Sequence, residues 1–237
     1  MLPKIIHYCW FGGNVKPDAV EKCIASWRSN CPDYELREWN EGNVSLENCP
    51  RYVRDAYAAK KYAYVTDYVR LKVLYDHGGF YMDTDVELLK SLDSFLGDRG
   101  IIGFENDEFV NSGQMLAAVA GHPILEEMMR SYNGVSFYRE DGSMYLLGCP
   151  HVNTDVLARH GLERNGREQT VANFHVYPAD WFNPLDSATG ELLKTDNTVS
   201  IHWYSMTWVP KWKQARVKIM RKVRRLLRQL RRMGDCQ

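Results

Sequence analysis

The chain has 237 residues, 45% of them apolar and 25% charged, with a formal net charge of zero. That suits one α/β domain with a full core and is too little for two large ones. No apolar run approaches the roughly 20 residues that cross a bilayer, so no transmembrane helix is expected. The neutral total hides an uneven spread. Residues 211–232 hold eleven of the thirty basic residues and no acidic one, whereas residues 1–210 carry nineteen basic against twenty-nine acidic. An acidic body without a recognition motif predicts no nucleic-acid partner. The six cysteines form no C-x-x-C pair and read neither as a zinc site nor as a disulfide framework. Cys9 and Cys23 fall in apolar patterns and are expected to be buried thiols of a reducing compartment. Met1–Lys4 leads straight into a strand, so no signal peptide is expected.

Lys4–Trp10 (KIIHYCW) predicts a buried first strand, and Phe11–Gly12–Gly13 its turn. A first strand ending in a Gly-containing loop is where open α/β sheets bind nucleotides. Trp10 is either a core aromatic or a platform at that loop. Pro17–Ser29 predicts a helix with Val20, Ile24 and Trp27 inward. Tyr34–Trp39 alternates as a second strand, and Arg51–Lys61 predicts a helix leading into a longer one. In that longer helix apolar residues recur at Val65, Val69, Leu71, Val73 and Leu74, and the pattern stops at His77–Gly78–Gly79. Asp67 and Arg70 stand three apart and share a face, either as an exposed ion pair or as part of a site. Phe80–Met82 predicts a short strand that ends in Asp83–Thr84–Asp85. An Asp-x-Asp there is either turn chemistry or a pair of oxygen ligands for a hard divalent cation such as Mn2+ or Mg2+.

Further on, Gly100–Glu105 predicts a buried strand, 106–112 a loop, and His122–Pro123 the start of a helix reaching Tyr132. Glu105, Asp107 and Glu108 are acidic loop residues that serve either as solvated charges or as a nucleophile or helper base. Residues 134–148 carry no clear pattern. A helix is expected after Cys149–Pro150, a polar loop over 161–169, and strands at Phe174–Pro178 and Thr198–Tyr204. Between residues 211 and 233, Trp212, Ala215, Ile219, Val223, Leu226, Leu230 and Met233 recur at steps of three and four, with Lys and Arg around the rest. This is the pattern of an amphipathic helix lying in an anionic membrane surface. An oligomer helix and packing on the acidic body are the alternatives.

The run from Asp67 to Asp85 has the form D-x-x-R-x-x-x-L-x-x-x-G-G-x-Y-x-D-x-D, with Asp67, Arg70, Leu74, Gly78, Gly79, Tyr81, Asp83 and Asp85 at the fixed positions. It resembles the DXD-containing glycosyltransferases of family 32, relatives of the glucosyltransferase domains of large clostridial toxins. The opening PKIIHYCWFG, the segment NSGQMLAAVAGHP and the ending around His202–Trp208 extend the likeness. The resemblance implies a GT-A type, Rossmann-like α/β domain over 1–210, with a central mixed sheet flanked by helices, followed by the basic tail 211–237. It implies a nucleotide-sugar donor, a UDP-sugar in first place and a GDP-sugar in second, an Mn2+ or Mg2+ ion, and retention of anomeric configuration. It assigns the metal to Asp83, Asp85 and His202. The donor falls to Trp10, Asp67, Arg70, Tyr81, Thr207 and Trp208, and Asn111 joins Asp83 and Asp85 in the catalytic set. Thr207 replaces the relatives' Ser and keeps the hydroxyl.

The function expected is hexosyl transfer to a glycan or lipid-linked oligosaccharide in bacterial surface-polysaccharide (capsule) synthesis. The enzyme is expected on the cytoplasmic face of the inner membrane, held there peripherally by residues 211–233. A toxin-like transferase with a protein acceptor and a non-catalytic membrane adaptor are the alternatives.

Overall fold

The computed structural model of the protein describes residues 1–205, 215–217 and 219–225. In its first half β1 (Ile5–Cys9), α1 (Asp18–Asn30) and β2 (Glu35–Trp39) lead to α2 (Arg51–Ala58), α3 (Tyr62–His77), β3 (Gly79–Tyr81) and β4 (Val86–Leu88). The second half runs β5 (Gly100–Phe104), β6 (Val110–Ala118), α4 (Pro123–Arg130), α5 (Cys149–Arg159), β7 (Gln169–Val171), β8 (Phe174–Tyr177), α6 (Ala179–Phe182) and β9 (Ser200–His202).

Seven strands form one mixed sheet in the order β2-β1-β3-β6-β5-β8-β7. β2 and β3 flank β1 in parallel, β6 is antiparallel to both β3 and β5, β8 runs parallel to β5, and β7 closes the edge antiparallel to β8. Side chains alternate between two apolar clusters, as the pleat requires. Ile6, Tyr8, Ile101 and Ala117 pack with α1 and α6, while Cys9, Ile102, Leu116 and Ala118 pack with α2, α3, α4 and α5. The α/β fold expected from the sequence is thus present, with the sheet between two helical layers. β4 and β9 pair separately, antiparallel, as a two-stranded sheet.

Three expectations change. The stretch expected as a loop over 106–112 gives way to β6 at Val110, because the polar residues Asn111, Ser112 and Gln114 are buried and hydrogen-bonded rather than solvated. The polar stretch 161–169 ends in β7, an edge strand too short to show an alternation. The strand expected over Thr198–Tyr204 contracts to Ser200–His202, because Tyr204 adopts φ of 48° and cannot continue it. Cys9 and Cys23 are buried free thiols, as expected.

The turn from α3 into β3 needs glycine. Gly79 has φ of +110°, and a Cβ there would stand 2.7 Å from the Ile5 carbonyl oxygen. That close approach lets β3 lie directly beside β1. His7 braces the junction: its Nε2 donates to the Gly78 carbonyl over 2.8 Å, and its Nδ1 accepts from Trp39 Nε1 over 3.0 Å. Burial, only partly offset by the Gly78 carbonyl, lowers the His7 pKa to about 4 from 6.5. The fold therefore holds the imidazole neutral, and the unfolded chain takes up its proton first as pH falls. This contribution is complete above pH 6.5 and is lost between 6.5 and about 4, by on the order of 3 kcal/mol. Urea denaturation at about pH 7 and pH 4 checks it: a His7→Gln variant, less stable at neutral pH, is expected to lose clearly less stability on acidification than the native chain.

Candidate active site

β1 and β3 are parallel neighbours, so their C-terminal ends lie side by side at the edge where open α/β sheets bind ligands. Trp10 follows β1, and Asp83 and Asp85 follow β3. β6 runs the other way, which brings its start, with Asn111 and Gly113, to the same edge. The Asp83 amide donates to the Gly113 carbonyl over 2.8 Å, and the Val86 amide closes a turn onto the Asp83 carbonyl over 3.0 Å. The turn passes into β4, whose Val86 pairs with His202 of β9. In this way the small sheet carries a histidine from 117 residues downstream to the acidic pair. Trp27 Nε1 fixes the corner by donating to the Val86 carbonyl over 2.8 Å.

Ligand atoms of Asp83, Asp85 and His202 all lie within 4.8 Å of one another. His202 Nε2 stands 3.2 Å from Asp85 Oδ1. The Asp85 Oδ2 accepts from both the amide and the hydroxyl of Ser205, over 2.8 and 2.9 Å. The Asp83 Oδ1 accepts from Arg70 and from the Tyr81 hydroxyl, each over 3.0 Å. One oxygen of each carboxylate is thus held by the protein, and the buried His202 Nδ1 has no hydrogen-bond partner. Two carboxylates and an imidazole in this volume fit a divalent cation such as Mn2+ or Mg2+. The electrostatics agree. Burial opposes charge on Asp85, but His202 and Ser205 outweigh it and hold its carboxyl well below the usual range. Burial likewise opposes charge on His202, but Asp85 outweighs it and raises the imidazole pKa. The cluster draws positive charge to itself.

Behind the acidic pair lies Arg70, 2% exposed. Its guanidinium bridges Asp67 Oδ1 and Asp83 Oδ1, each at 3.0 Å, and stands 4.9 Å from the Tyr81 ring centre. Asp67 and Arg70 therefore form a buried pair rather than the exposed one that the spacing also allowed. Burial raises the Asp67 pKa to about 6 against the pull of Arg70. Removing the cation would strand two carboxylates, typically a loss of about 3–5 kcal/mol. Cys149 at the start of α5 completes the floor: its amide donates to Asp67 Oδ2 over 3.3 Å, and its thiol meets Asn111 Oδ1 at 3.5 Å.

Most of these residues line a cleft of about 540 Å3. Trp10, Phe11, Val15 and Tyr62 form its apolar part, and Asp67, Arg70, Asp83, Asp85, Asn111, Cys149 and His202 its polar part. The Trp10 indole is tied by Nε1 to the Asn14 carbonyl over 2.7 Å. Gly12 passes so close beneath Tyr62 that a Cβ would stand 2.4 Å from the ring. Tyr81, expected on the donor, is 1% exposed and off the cleft lining; its hydroxyl donates to Asp83. Thr207 and Trp208 lie outside the described residues. Of the acidic loop named as a source of a nucleophile, Glu105 is also off the cleft lining, with one carboxylate oxygen on Asn111 and the other on Tyr204. Cys149 and Tyr204, both on the lining, carry no sequence signal beyond a Cys-Pro helix start and one aromatic among many.

Residues 17–101, which contain Asp67, Arg70, Asp83 and Asp85, match the family described as the glycosyltransferase sugar-binding region containing DXD motif. Over that stretch the chain is similar to DXD-type glycosyltransferase sugar-binding regions. An uncharacterised glycosyltransferase of Acanthamoeba polyphaga mimivirus is 30% identical over 105 residues, 41% of this chain and 41% of that protein. Inositol phosphoceramide mannosyltransferase 3 of Schizosaccharomyces pombe is 27% identical over 142 residues, 57% of this chain and 38% of that protein. The chain thus spans about two fifths of the length of these curated relatives. Among solved structures, the PaToxG glycosyltransferase superposes with a TM-score of 0.50 at 22% identity, over 67% of this chain and 69% of that one, which is a likeness of fold. The mixed sheet between two helical layers is the GT-A type arrangement.

Gly113 supports the acidic pair by having no side chain. A Cβ there would stand 2.3 Å from Asp83 Oδ2 and 2.9 Å from an Arg70 nitrogen. Gly113→Ala is expected to displace Asp83 and to weaken Mn2+ binding about 10–100-fold, the range seen when support around a metal site is lost. Isothermal titration with Mn2+ measures it, with far-ultraviolet circular dichroism as the check on folding.

Proposed function

We propose that the protein is a metal-dependent, retaining glycosyltransferase that moves a hexosyl unit from a nucleotide sugar to an acceptor hydroxyl. The observation that carries this reading is the cleft itself, with an indole at one part and the Asp83–Asp85–His202 cluster at another. Trp10 stacks on the base. Asp67 and Asn111 meet the sugar hydroxyls, and Arg70 fixes the carboxylates around them. Asp83, Asp85 and His202 hold the cation, Mn2+ or Mg2+. When bound, that cation supplies Lewis-acid stabilisation of the departing diphosphate. Thr207 and Trp208 add hydrogen-bond donors to the same oxygen. Retention follows from attack on the face that the diphosphate leaves, with no protein nucleophile; Glu105, whose two oxygens are already engaged, fits that absence.

The donor is a UDP-sugar in first place. The S. pombe relative is by name a mannosyltransferase, so GDP-mannose stands second. Its acceptor, by the same name, is the lipid inositol phosphoceramide, which supports a lipid-linked glycan as acceptor here. The pathway we propose is bacterial surface-polysaccharide synthesis, at the cytoplasmic face of the inner membrane. Asp85→Asn is expected to abolish Mn2+-dependent transfer, at least a hundredfold in kcat, and to lower the thermal midpoint, because the carboxylate faces His202 and Ser205, while far-ultraviolet circular dichroism stays native. A thermal-shift panel of UDP- and GDP-sugars with Mn2+ selects the donor for that assay. Full activity in the variant removes the metal role.

The domain division follows from this reading: residues 1–210 form the catalytic body and 211–237 a membrane-associating tail. Residues 215–217 and 219–225 are helical. Ile219, Met220 and Val223 are 62%, 43% and 45% exposed, so this apolar side is not spent on the acidic body. Arg221 provides a contact with the body, donating from Nε to the Ser187 carbonyl over 3.0 Å. An open apolar face among arginines and lysines supports an anionic membrane surface as partner. Deleting 211–237 is expected to abolish flotation with phosphatidylglycerol-containing liposomes and to leave the fold intact; unchanged flotation removes the membrane role.

A further inference from the structure

We propose that Glu105 is a positioning residue that joins the two halves of the cleft, orienting the Asn111 carboxamide and, through Tyr204, the His202 imidazole. The proposal deepens the glycosyltransferase reading and rests on it.

Glu105 sits just beyond the end of β5, opposite the start of β6, and its two oxygens face different partners. One accepts from Asn111 Nδ2 over 3.1 Å, and the other accepts from the Tyr204 hydroxyl over 3.1 Å. Asn111 Oδ1 meanwhile accepts from the Gly113 amide over 2.7 Å. The carboxamide is therefore locked, with its oxygen on the protein and its nitrogen on Glu105. An amide nitrogen has two hydrogens and Glu105 takes one, so the second is left for an acceptor oxygen in the cleft that Asn111 lines.

The other arm reaches the metal side. Tyr204 has φ of 48°, a left-handed backbone that a non-glycine residue rarely adopts. Its hydroxyl accepts from Asn183 Nδ2 over 2.6 Å and donates to Glu105 over 3.1 Å. Its ring lies 4.2 Å from the His202 ring, centre to centre. Its neighbours grip Asp85: the Trp203 amide donates to the Asp85 carbonyl over 3.0 Å, and Ser205 donates twice to the Asp85 carboxylate. Fixing Tyr204 thus fixes residues 202–205, which carry one proposed ligand and hold another.

Only an acceptor on both sides fits this position. A glutamine at 105 has one oxygen and one NH2 group. Turned to Asn111, the NH2 group faces another donor; turned to Tyr204, it takes away the tyrosyl proton's acceptor and forces the Asn183 carboxamide to turn over and offer its oxygen instead. The loss is chemical rather than steric, so Glu105→Gln separates positioning from packing.

The test titrates Mn2+ alone into the full chain and into the Glu105→Gln, Tyr204→Phe and doubly substituted chains, with a thermal midpoint for each. Groups that orient a metal's ligands without touching the metal commonly carry about 10–100-fold in affinity. Each single variant is expected to weaken Mn2+ binding about tenfold, and the double variant no more than the worse single one, because both cut one chain of contacts. If Glu105→Gln folds poorly, Tyr204→Phe, which keeps the ring and removes one hydroxyl, carries the test. Native Mn2+ affinity in both single variants, with or without a lowered midpoint, overturns the proposal and leaves the transferase reading standing. Fully additive losses overturn the route from Glu105 through Tyr204 to His202. A native chain that binds no Mn2+ overturns both readings.

Discussion

Arg70 is the charge on which the site depends. It lies out of water between Asp67 and Asp83, and nothing about that position is cheap: an isolated guanidinium there would cost several kcal/mol in lost hydration. Two carboxylates, a Thr66 carbonyl and the face of Tyr81 make it tolerable. In return the guanidinium lets two acids sit close together at the end of a strand. Burial still pushes Asp83 up against the pull of Arg70. Asp85 escapes that fate because His202 and Ser205 face it from the other side. The acidic pair is thus balanced by cationic and donor groups that come from different elements, α3 behind it and the β9 segment in front.

That balance explains why so much of the local backbone is constrained. Gly79 has to pass within contact of β1 so that the Asp83 turn stands beside Trp10. Gly113 has to lack a side chain so that Asp83 and Arg70 can meet. Both requirements are steric, and both concern backbone atoms or charged groups that cannot move aside without breaking the ion pairs. The cleft is the space left when β1, β3 and β6 end at one edge and α3 and α5 close over it.

The similarity to DXD-type glycosyltransferase sugar-binding regions ends at residue 101, yet the cleft does not. Asn111, Cys149, His202 and Tyr204 all lie on the cleft lining beyond it. The second half of the chain supplies the groups that orient and complete what the first half begins. Glu105 stands between the two and touches both a carboxamide and a tyrosine that face the cleft.

Much of this was legible in the chain itself. The apolar period of α3, its Gly-Gly stop and the Asp-x-Asp that follows are local features, set by helix geometry and turn chemistry within about 20 residues. Asp67 and Arg70 share a face for the same local reason. The strands β1, β2 and β8 follow from their own side chains, as does the basic, amphipathic pattern of the tail. Other features were not legible. β6 reads as a loop because its polar residues are buried among partners that come from α5 and β5. That Arg70 is buried rather than exposed depends on Cys149, far along the chain, closing over it. The approach of His202 to Asp85, implied by the family resemblance but not by the chain's own spacing, requires β4 and β9 to pair, and the engagement of Glu105 requires Tyr204 to bend into a left-handed turn. Each of these is a meeting of residues distant in sequence, and spacing along a chain carries no information about which distant groups will exclude water together.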